Sequence, residues 1–498
     1  MSASATYHEL TSHSPGRRRR GPGERDSRLL SGFVSQVPSR RPPEVKQYEP
    51  GLTTVELPTD LPDHGVPAEE VLSGSAGPSS RRLDLGELAR LLFYSAGVVR
   101  WVDTPGFGRL HTRAAGSAGN LHPLEVYVVA TGMEGVPDGV WHHDPFGHRL
   151  RRVADAPGEG PPYLVVTGIP WRTGWKYAER GYRHLWWDAG TMLSQLLALA
   201  ETTGAGARLR LAFPDRDVAA LVGADGVHEL PLAVVALGEG RPRFEAPGRA
   251  AAGLVAEDPL ELPLVTDTHR ATEAAGGAWL QEPDGAEGPA PVPPGPTPPA
   301  GQGLRPGWTL EEVILRRGST RRFDRAATLP AGSLSFAMAV ATRPLPWDVG
   351  RSLGEHHLVV HAVDGLPSGL YRWADGGPTL VHAGDLRAAA RHFCLDQDLA
   401  GDAGYIAAHC ADIDAVVDEL GERGYRAAQL EAGVTEGRLH MAAFALGHGA
   451  SGLTFYDDLT TPLLRTAAAG MLVTAVGTPA YRSVGGGPPG RPARIRGR

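Results

Sequence analysis

Hydrophobic and polar residues follow two periods along this chain, and each period predicts one kind of element. Apolar residues recur at helical spacing over 83–99 and 189–203, which predicts two helices. Short runs rich in β-branched residues and bounded by Gly or Pro predict strands at 124–131, 163–168, 231–238, 356–363 and 471–477. The order of these elements favours an α+β fold over a doubly wound parallel sheet.

Two parts of the sequence resemble each other. The segment 180–190, RGYRHLWWDAG, aligns without a gap on 423–433, RGYRAAQLEAG. The same offset pairs Gly204 with Gly447, Gly206 with Gly449, Phe213 with Tyr456 and Asp215 with Asp458. Solenoid repeats have periods of about 20 to 50 residues, so a repeat of this length indicates a duplicated globular domain. The sequence therefore predicts two copies of one domain.

Changes in composition predict where these copies begin and end. Residues 276–307 contain clustered prolines and few apolar residues, which is typical of a semi-rigid linker. A polar segment rich in Arg, Gly and Pro at 15–24 indicates a flexible arm. We predict a partly disordered arm at 1–45, a first domain at 46–250, a linker at 251–307, a second domain at 308–485 and a disordered tail at 486–498.

Overall composition narrows the class of protein. The chain of 498 residues has 49 Lys and Arg against 56 Asp and Glu, a net charge of -7, which is the opposite of what a nucleic-acid binder shows. No apolar run reaches the roughly 18 residues of a membrane span, and the polar start lacks the apolar core of a secretory signal. Cys394 and Cys410 are too few for a disulfide framework, and no His group has metal-ligand spacing. A cytoplasmic protein without a metal site is predicted.

A basic motif opens the second predicted domain. Arg317, Ser319 and Arg321 occupy alternating positions of the segment RRGSTRRF. In an extended segment such positions point to the same side, where two guanidiniums and a hydroxyl can bind a phosphate and the polar edge of a ring system. A solvated basic patch is the alternative interpretation.

A loop of small residues precedes the strand predicted at 124–131. Its sequence, SAGNLHP, follows Gly116 and includes Ser117, Gly119 and Asn120. Small residues let backbone amides approach a flat ligand closely. The Asn120 side chain has both a donor and an acceptor to offer such a ligand. A plain turn before a strand is the alternative interpretation.

With these two motifs in place, the chain resembles the flavin-dependent nitroreductase superfamily, and within it the SagB-type dehydrogenases that oxidise azoline rings in thiazole/oxazole-modified peptides. The likeness rests on the order and spacing of segments spread over most of the chain. They include YHELT at 7–11, QYEPGL at 47–52, GVWHHD at 139–144 and KYAERGYR at 176–183. The resemblance implies an α+β fold with two tandem nitroreductase-like domains that form an intramolecular pseudo-dimer.

The resemblance also implies a cofactor site. In that superfamily FMN lies between two subunits, one contributing an R-x-S-x-R segment and the other a P-S-x-x-N loop. The implied FMN-binding residues are Arg317, Ser319, Arg321, Ser117, Gly119, Asn120 and Arg482. Gly116 stands where the family has Pro. Because 71–85 lacks R-x-S-x-R and 341–350 occupies the place of the Ser/Asn loop, we expect one complete site and one degenerate site.

Lys176 and Tyr177 align with a Lys-Tyr pair that the peptide azoline dehydrogenases use in catalysis. Ring oxidation needs a base for one proton while the flavin accepts the hydride, and burial can lower the pKa of a Lys far enough for that role. A solvent-facing charge near a helix start is the alternative for Lys176.

The implied function is an FMN-dependent dehydrogenase that oxidises azolines to azoles in a ribosomally synthesised peptide. The implied partners are a precursor peptide and a cyclodehydratase complex. Two other functions remain open. One is an NAD(P)H-dependent nitro- or quinone reductase with the same FMN-binding residues, and the other is a flavin-free scaffold for peptide maturation.

Overall fold

A computed structural model describes residues 1–15, 26–30, 35–77, 82–104, 108–204, 206–273 and 307–496. The first half of the chain mixes helices and strands. Its helices are α1 (Ala3–Leu10), α2 (Ala68–Ser73), α3 (Leu85–Ala96), α4 (Pro170–Tyr177), α5 (Gly181–Glu201) and α6 (Asp215–Val222). Its strands are β1 (Thr54–Glu56), β2 (Val98–Thr104), β3 (Gly108–Arg113), β4 (Leu124–Ala130), β5 (Gly139–Asp144), β6 (Arg149–Ala154), β7 (Tyr163–Gly168), β8 (Ala207–Arg210) and β9 (Leu230–Leu237).

The second half begins with the next helix along the chain. Its helices are α7 (Pro263–Ala271), α8 (Leu310–Arg316), α9 (Ala331–Ala341), α10 (Arg387–Phe393), α11 (Asp398–Asp402), α12 (Ile413–Leu420), α13 (Arg423–Ala445) and α14 (Thr460–Leu464). Its strands are β10 (Glu355–Val360), β11 (Gly369–Ala374), β12 (Gly377–Ala383), β13 (Tyr405–Ala411), β14 (Gly449–Leu453), β15 (Ala469–Gly477) and β16 (Ala493–Arg496). The predicted α+β class and each predicted helix and strand are confirmed, with one correction. The helix predicted over 83–99 ends at Ala96, because Gly97 is extended and Val98 and Val99 begin β2.

Two antiparallel sheets carry the two halves, and their strand orders correspond. The first sheet runs β1-β6-β5-β4-β7-β9-β8, and the second runs β12-β11-β10-β13-β15-β14. Without β1, the first order maps strand by strand onto the second, with antiparallel pairing throughout. A smaller sheet, β16-β2-β3, joins the end of the chain to the first half.

Helices α5 and α13 pack against each other where the two halves of the chain meet. We call this contact between the halves the seam. Both are buried along almost their whole length. Their backbones meet at two glycines: a methyl group built on Gly190 would lie 2.5 Å from the carbonyl carbon of Gly433. On the other side, a methyl group on Gly433 would lie 2.6 Å from the Trp187 carbonyl oxygen. Only glycine permits so close an approach. Trp186 and Trp187, which precede Gly190 on α5, are buried.

Two buried ion-pair clusters close the seam at its ends. Asp457 receives Arg180 Nη1 at 2.6 Å and Arg183 Nη1 at 2.7 Å. Asp215 receives Arg423 Nη1 and Arg426 Nη1, each at 2.5 Å. Burial alone would raise the pKa of each carboxyl, but the two guanidiniums hold it well below its ordinary value. Each half therefore supplies two arginines to an aspartate of the other half.

These clusters correct the gap-free alignment of the two halves. That alignment paired Phe213 with Tyr456 and Asp215 with Asp458. In the structure, Arg423 lies over the Phe213 ring at 4.5 Å and Arg180 lies over the Phe455 ring at 5.4 Å. The counterparts are thus Phe455 and Asp457, because the connection from α13 to β14 is shorter than the one from α5 to β8.

The stretch predicted as a linker at 251–307 contains helix α7. This helix makes the same contacts at the seam that α1 makes: Arg426 donates to Thr272 Oγ1 at 2.6 Å, and Arg183 donates to Thr11 Oγ1 at 2.9 Å. Residues 274–306 of the predicted linker lie outside the described residues, as do 16–25 and 31–34 of the predicted arm.

The tail predicted as disordered at 486–498 contains strand β16. It pairs in parallel with β2, with Ala493 opposite Arg100 and Arg496 opposite Asp103. β3 pairs with one edge of β2, and β16 pairs with the other. The prediction of disorder was wrong because the composition of the tail does not show that this edge is free for pairing. The last two residues, 497–498, lie outside the described residues.

Candidate active site

Arg317 reaches from the second half to the loop that follows β3 in the first half. Its guanidinium donates to the Ala114 carbonyl oxygen, and a methyl group built on Gly116 would lie 3.4 Å from Nη1. Arg317 is only 4% exposed, and its Nε has no hydrogen-bond partner. Burial lowers the pKa of Arg317 to about 10. A buried cation with an unused donor therefore lies at the seam, where it can bind an anionic or carbonyl-bearing group.

Backbone hydrogen bonds hold the rest of the R-x-S-x-R segment in place. The Thr320 amide donates to the Ala450 carbonyl oxygen at 2.9 Å, and the Arg321 amide donates to the Tyr481 hydroxyl at 3.0 Å. Ser319 and Arg321 are exposed, in contrast to Arg317. Arg482 is also exposed and directly follows Tyr481, so its chain segment lies beside the motif. The three motif side chains thus differ in their surroundings more than simple alternation predicts.

The loop around Ser117 is fixed by bonds within the first half. Ser117 Oγ donates to Asp188 Oδ2 at 2.6 Å, and the Ala118 amide donates to Asp188 Oδ1 at 2.9 Å. Asn120 Nδ2 donates to the His111 carbonyl oxygen at 2.7 Å, and Asn120 Oδ1 lies 2.9 Å from His122 Nε2. The Asn120 amide is therefore engaged by the protein, whereas the sequence led us to expect both of its groups to face a ligand.

The end of α4 lies against this loop. A methyl group built on Gly119 would lie 3.0 Å from both Lys176 Cδ and the Tyr177 hydroxyl. Lys176 is half-buried, and burial together with the nearby Arg321 lowers the pKa of its ammonium group. Tyr177 stacks on His184 with ring centroids 4.0 Å apart. The structure thus brings Lys176 and Tyr177 next to the Ser117 loop and within electrostatic reach of Arg321.

Backbone strain is concentrated here. Gly119, Asn120 and His122 have positive φ values of 65°, 59° and 46°, and Ala178 at the end of α4 has a φ of 50°. For residues with a Cβ this conformation is uncommon and is kept only where surrounding contacts impose it. The loop and the helix end are therefore held in a defined shape.

Sequence reasoning missed two residues that organise the site. Asp188 holds the loop, as described above. Arg100 on β2 donates to the carbonyl oxygens of Leu315 at 2.6 Å and Arg317 at 3.0 Å. The sequence did contain an indication of Asp188. It is an acidic residue in the repeated segment 180–190, and it aligns with another acidic residue, Glu431, in 423–433. No comparable signal marks Arg100.

The part of the first half that contributes to this site matches a known protein family. Residues 83–239 match the model of the Nitroreductase family. The chain therefore contains a Nitroreductase family domain, which includes the Ser117 loop and α4.

The fold over both halves is shared with a solved structure. A nitroreductase-like protein from Anabaena variabilis has a TM-score of 0.72 and 23% identity, with 96% of this chain and 100% of that chain covered. A nitroreductase-like protein of Methanocaldococcus jannaschii, MJ1384, is 27% identical over 174 residues, which are 32% of this chain and 82% of that protein. The described residues include no helix long and apolar enough to cross a bilayer.

A chain of the E. coli microcin synthetase complex with truncated pro-MccB17 bound has a TM-score of 0.27 and 19% identity, covering 48% of this chain. That score is too low to support an inference about function. The family match and the Anabaena variabilis structure therefore support a nitroreductase-type oxidoreductase.

Proposed function

We propose that this protein is an FMN-dependent oxidoreductase with one cofactor at the seam between two copies of a nitroreductase-like domain. The corresponding strand orders and the reciprocal Arg–Asp clusters support the duplication. In this proposal the second copy begins at α7, since α7 makes the contacts that α1 makes. The observation that carries the cofactor proposal is the buried Arg317 of one half beside Gly116 of the other.

The residues at the seam fit such a cofactor. Arg317 has an unused Nε, and Ser319, Arg321 and Arg482 have exposed donors for a phosphate. The absence of a side chain at Gly116 leaves backbone next to Arg317, where a flat ring with carbonyl oxygens can approach. FMN, when bound, supplies the hydride acceptor.

Lys176 is the proposed proton acceptor. Oxidation of a ring C–N or C–C bond removes one hydride and one proton, and the proton needs a base in the site. The lowered pKa of Lys176 increases the fraction of neutral amine that can take this proton. Tyr177, held by its stack on His184, orients the ring.

The proposed substrate is an azoline in a ribosomally synthesised peptide, which is oxidised to an azole with oxygen as the final electron acceptor. The aromaticity of the product favours this direction. A precursor peptide and a cyclodehydratase complex are the proposed partners. These steps rest on the resemblance of the Lys176–Tyr177 segment to the azoline dehydrogenases.

The second half lacks the groups that would make a second site of this kind. By the offset of the repeat, Glu419 and Leu420 stand where the first half has Lys176 and Tyr177. Glu419 pairs with Arg351 at the surface. A carboxylate in place of an ammonium repels a phosphate-bearing ligand. We therefore propose one FMN per chain.

The test is a visible absorption spectrum and flavin count of the purified full chain, followed by anaerobic mixing with NADPH. One FMN per chain that NADPH leaves oxidised is the expected result. A colourless protein that takes up no added FMN would support the scaffold alternative, and rapid bleaching by NADPH would support the reductase alternative. Two FMN per chain would show that the second half also binds flavin.

A further inference from the structure

We propose that Asp188 is a positioning residue of this site: its carboxylate holds the loop 116–120 in the shape that receives the cofactor, and uptake of a proton by Asp188 loosens that loop. The inference rests on the proposed function, because it assigns a purpose to the loop. It adds a residue that neither the motif nor the resemblance includes. It also predicts that cofactor affinity depends on pH near neutrality.

The geometry makes Asp188 the organising group of the loop. Both of its oxygens accept hydrogen bonds, one from Ser117 Oγ and one from the Ala118 amide. Ser117 Oγ in turn accepts the His122 amide at 2.9 Å, so the hydroxyl hydrogen is left for Asp188. His122 Nε2 lies against Asn120 Oδ1. The start of the loop, at Ser117 and Ala118, therefore depends on the Asp188 carboxylate, while Asn120 is held by the His111 carbonyl oxygen.

This loop faces the residues that would hold and transform a ligand. Gly116 at its start lies against Arg317, and Gly119 lies against Lys176 and Tyr177. A shift of the loop backbone by a few tenths of an ångström would change both contacts, because neither glycine has a side chain that can adjust. Asp188 acts through the loop and does not itself lie among the groups proposed to touch the cofactor.

Asp188 is buried at 4% exposure and has one acidic group, Glu436, within electrostatic reach. Burial raises the pKa of Asp188, and the bonds from Ser117 and Ala118 oppose the rise. Together with the nearby Glu436 on α13, which also raises it, these effects bring the pKa to about 7. Glu436 is held by Thr191 Oγ1 at 2.9 Å and His440 Nδ1 at 3.2 Å. The other titratable groups nearby are Tyr177 of α4, and Arg113 and His122, which line a small cavity together with Asp188.

The sign of the pH effect follows from hydrogen-bond capacity. The carboxylate accepts from both Ser117 and Ala118, whereas the protonated acid must use one oxygen as a donor and loses an acceptor. FMN affinity should therefore fall as the pH drops through about 7. The stability of the apo protein should respond in the opposite direction. A raised pKa in the folded state stabilises the fold at low pH, and that contribution is lost as the pH rises through the folded value.

The second half provides a matched control. Glu431 occupies the position of Asp188 on α13, and it accepts Ser352 Oγ at 2.7 Å and the Leu353 amide at 2.8 Å. It is similarly buried, at 7% exposure, and burial raises its pKa. Its loop is in the half that lacks Lys176 and Tyr177. Loss of Glu431 should therefore affect folding stability to a similar degree without affecting the cofactor.

The experiment measures FMN affinity of the full chain by quenching of flavin fluorescence from about pH 5.5 to about pH 8.5. For the wild type, Kd should rise up to about tenfold per pH unit below pH 7, as expected for one linked proton. Asp188→Asn should bind FMN at least about tenfold more weakly at the upper end and lose the pH dependence. Glu431→Gln should match the wild type.

Equal affinity and equal pH dependence in Asp188→Asn and the wild type would overturn the inference while leaving the proposed function intact. A wild type that binds no FMN at any pH would overturn the proposed function and this inference with it. If Asp188→Asn does not fold, Ser117→Ala replaces it. That variant keeps the carboxylate, removes one of its two donors, and should raise Kd about three- to tenfold. Unchanged binding in Ser117→Ala would also contradict the role of Asp188.

Discussion

Arg180 and Arg183 bind Asp457 across the seam, and Arg423 and Arg426 bind Asp215 in the same way. At the loops before the central strands, the two halves share a scaffold but differ in chemistry. Asp188 and Glu431 each hold a serine hydroxyl and the next backbone amide. Yet Lys176 and Tyr177 face only the first of these loops, and Glu419 and Leu420 stand at the corresponding positions of the second half.

This difference separates what the fold needs from what a ligand needs. The ion pairs occur in both halves, so they serve the shared architecture. The acid-held loops also occur in both halves, but only the loop held by Asp188 faces Lys176 and Tyr177. Among the residues that the structure describes, Arg317, Lys176 and Tyr177 have no chemical equivalent in the other half, so they are the residues for which a role in binding or catalysis is proposed. Paired substitutions in the two halves can test this division.

The largest expected effect is on stability and is the same in both halves. Asp457→Asn and Asp215→Asn each leave two buried guanidiniums without their counter-charge, which costs about 3–5 kcal/mol. Chemical denaturation of the two variants should give free energies of unfolding that fall by similar amounts. If the free energy of unfolding fell in only one variant, the two ion-pair clusters would not be equivalent in their contribution to stability.

The same clusters predict the response to acid. Because the folded-state pKa values of Asp457 and Asp215 lie below their unfolded values, the stabilisation is present above about pH 4 and is lost as the pH falls. Each variant should therefore show a shallower loss of stability between about pH 5 and about pH 3 than the wild type. Parallel acid profiles for variants and wild type would exclude these carboxyls as the cause.

The next largest effect is on cofactor retention and should differ between halves. Arg317→Ala removes the buried cation beside Gly116 and should weaken FMN binding about a hundredfold or more. The control is Arg343→Ala, another buried seam arginine, which donates to the Leu72 carbonyl oxygen at 2.7 Å. Equilibrium dialysis with FMN should find the Arg343 variant within about threefold of the wild type. Equal losses would place the cofactor elsewhere.

The rate of substrate oxidation should depend on the first half and not on the second, in variants that still bind FMN. Lys176→Ala should keep FMN but slow substrate oxidation about a hundredfold, the lower end of the usual effect of a general base. Its counterpart Glu419 lies at the surface of the second half. The control variant Glu419→Ala should therefore leave the rate of oxidation unchanged. Single-turnover flavin reduction by an azoline-containing peptide is the measurement. Normal turnover in the Lys176 variant would remove it from the mechanism.

The smallest effect concerns the segment after β15. Tyr481→Phe removes the hydroxyl that accepts the Arg321 amide, a loss of about 0.5–1.5 kcal/mol. FMN affinity should fall about three- to tenfold. Tyr371→Phe, which removes a hydroxyl bonded to the Pro367 carbonyl oxygen, should leave that affinity unchanged. Titration of both variants with FMN decides whether this segment supports the R-x-S-x-R motif.

Parts of the site could be predicted because the signals are local. The loop of small residues, the R-x-S-x-R segment and the Lys-Tyr pair are each contiguous in sequence. The bond from Asp188 to Ser117 could not be predicted, because it joins residues far apart in sequence and depends on how α5 packs against the loop. The loop of the second half, expected at 341–350, is instead the Ser352–Leu353 turn held by Glu431. Ser352 lies three residues before β10 and Ser117 lies seven residues before β4, and the shared hydrogen bonds reveal the correspondence.

Periodicity and turn residues by themselves predicted two helices and five strands, because helix and strand formation depend in part on neighbouring side chains. The repeat of RGYR at 180–183 and 423–426 likewise predicted that the two halves correspond, as their strand orders do. Tertiary structure alone decided that α7 and β16 are ordered, since a helix in a polar stretch and a short edge strand are stabilised by distant partners. It also decided which arginine is buried. Burial is set by the surroundings of a side chain in the folded molecule, and three motif residues of similar polarity end in different environments.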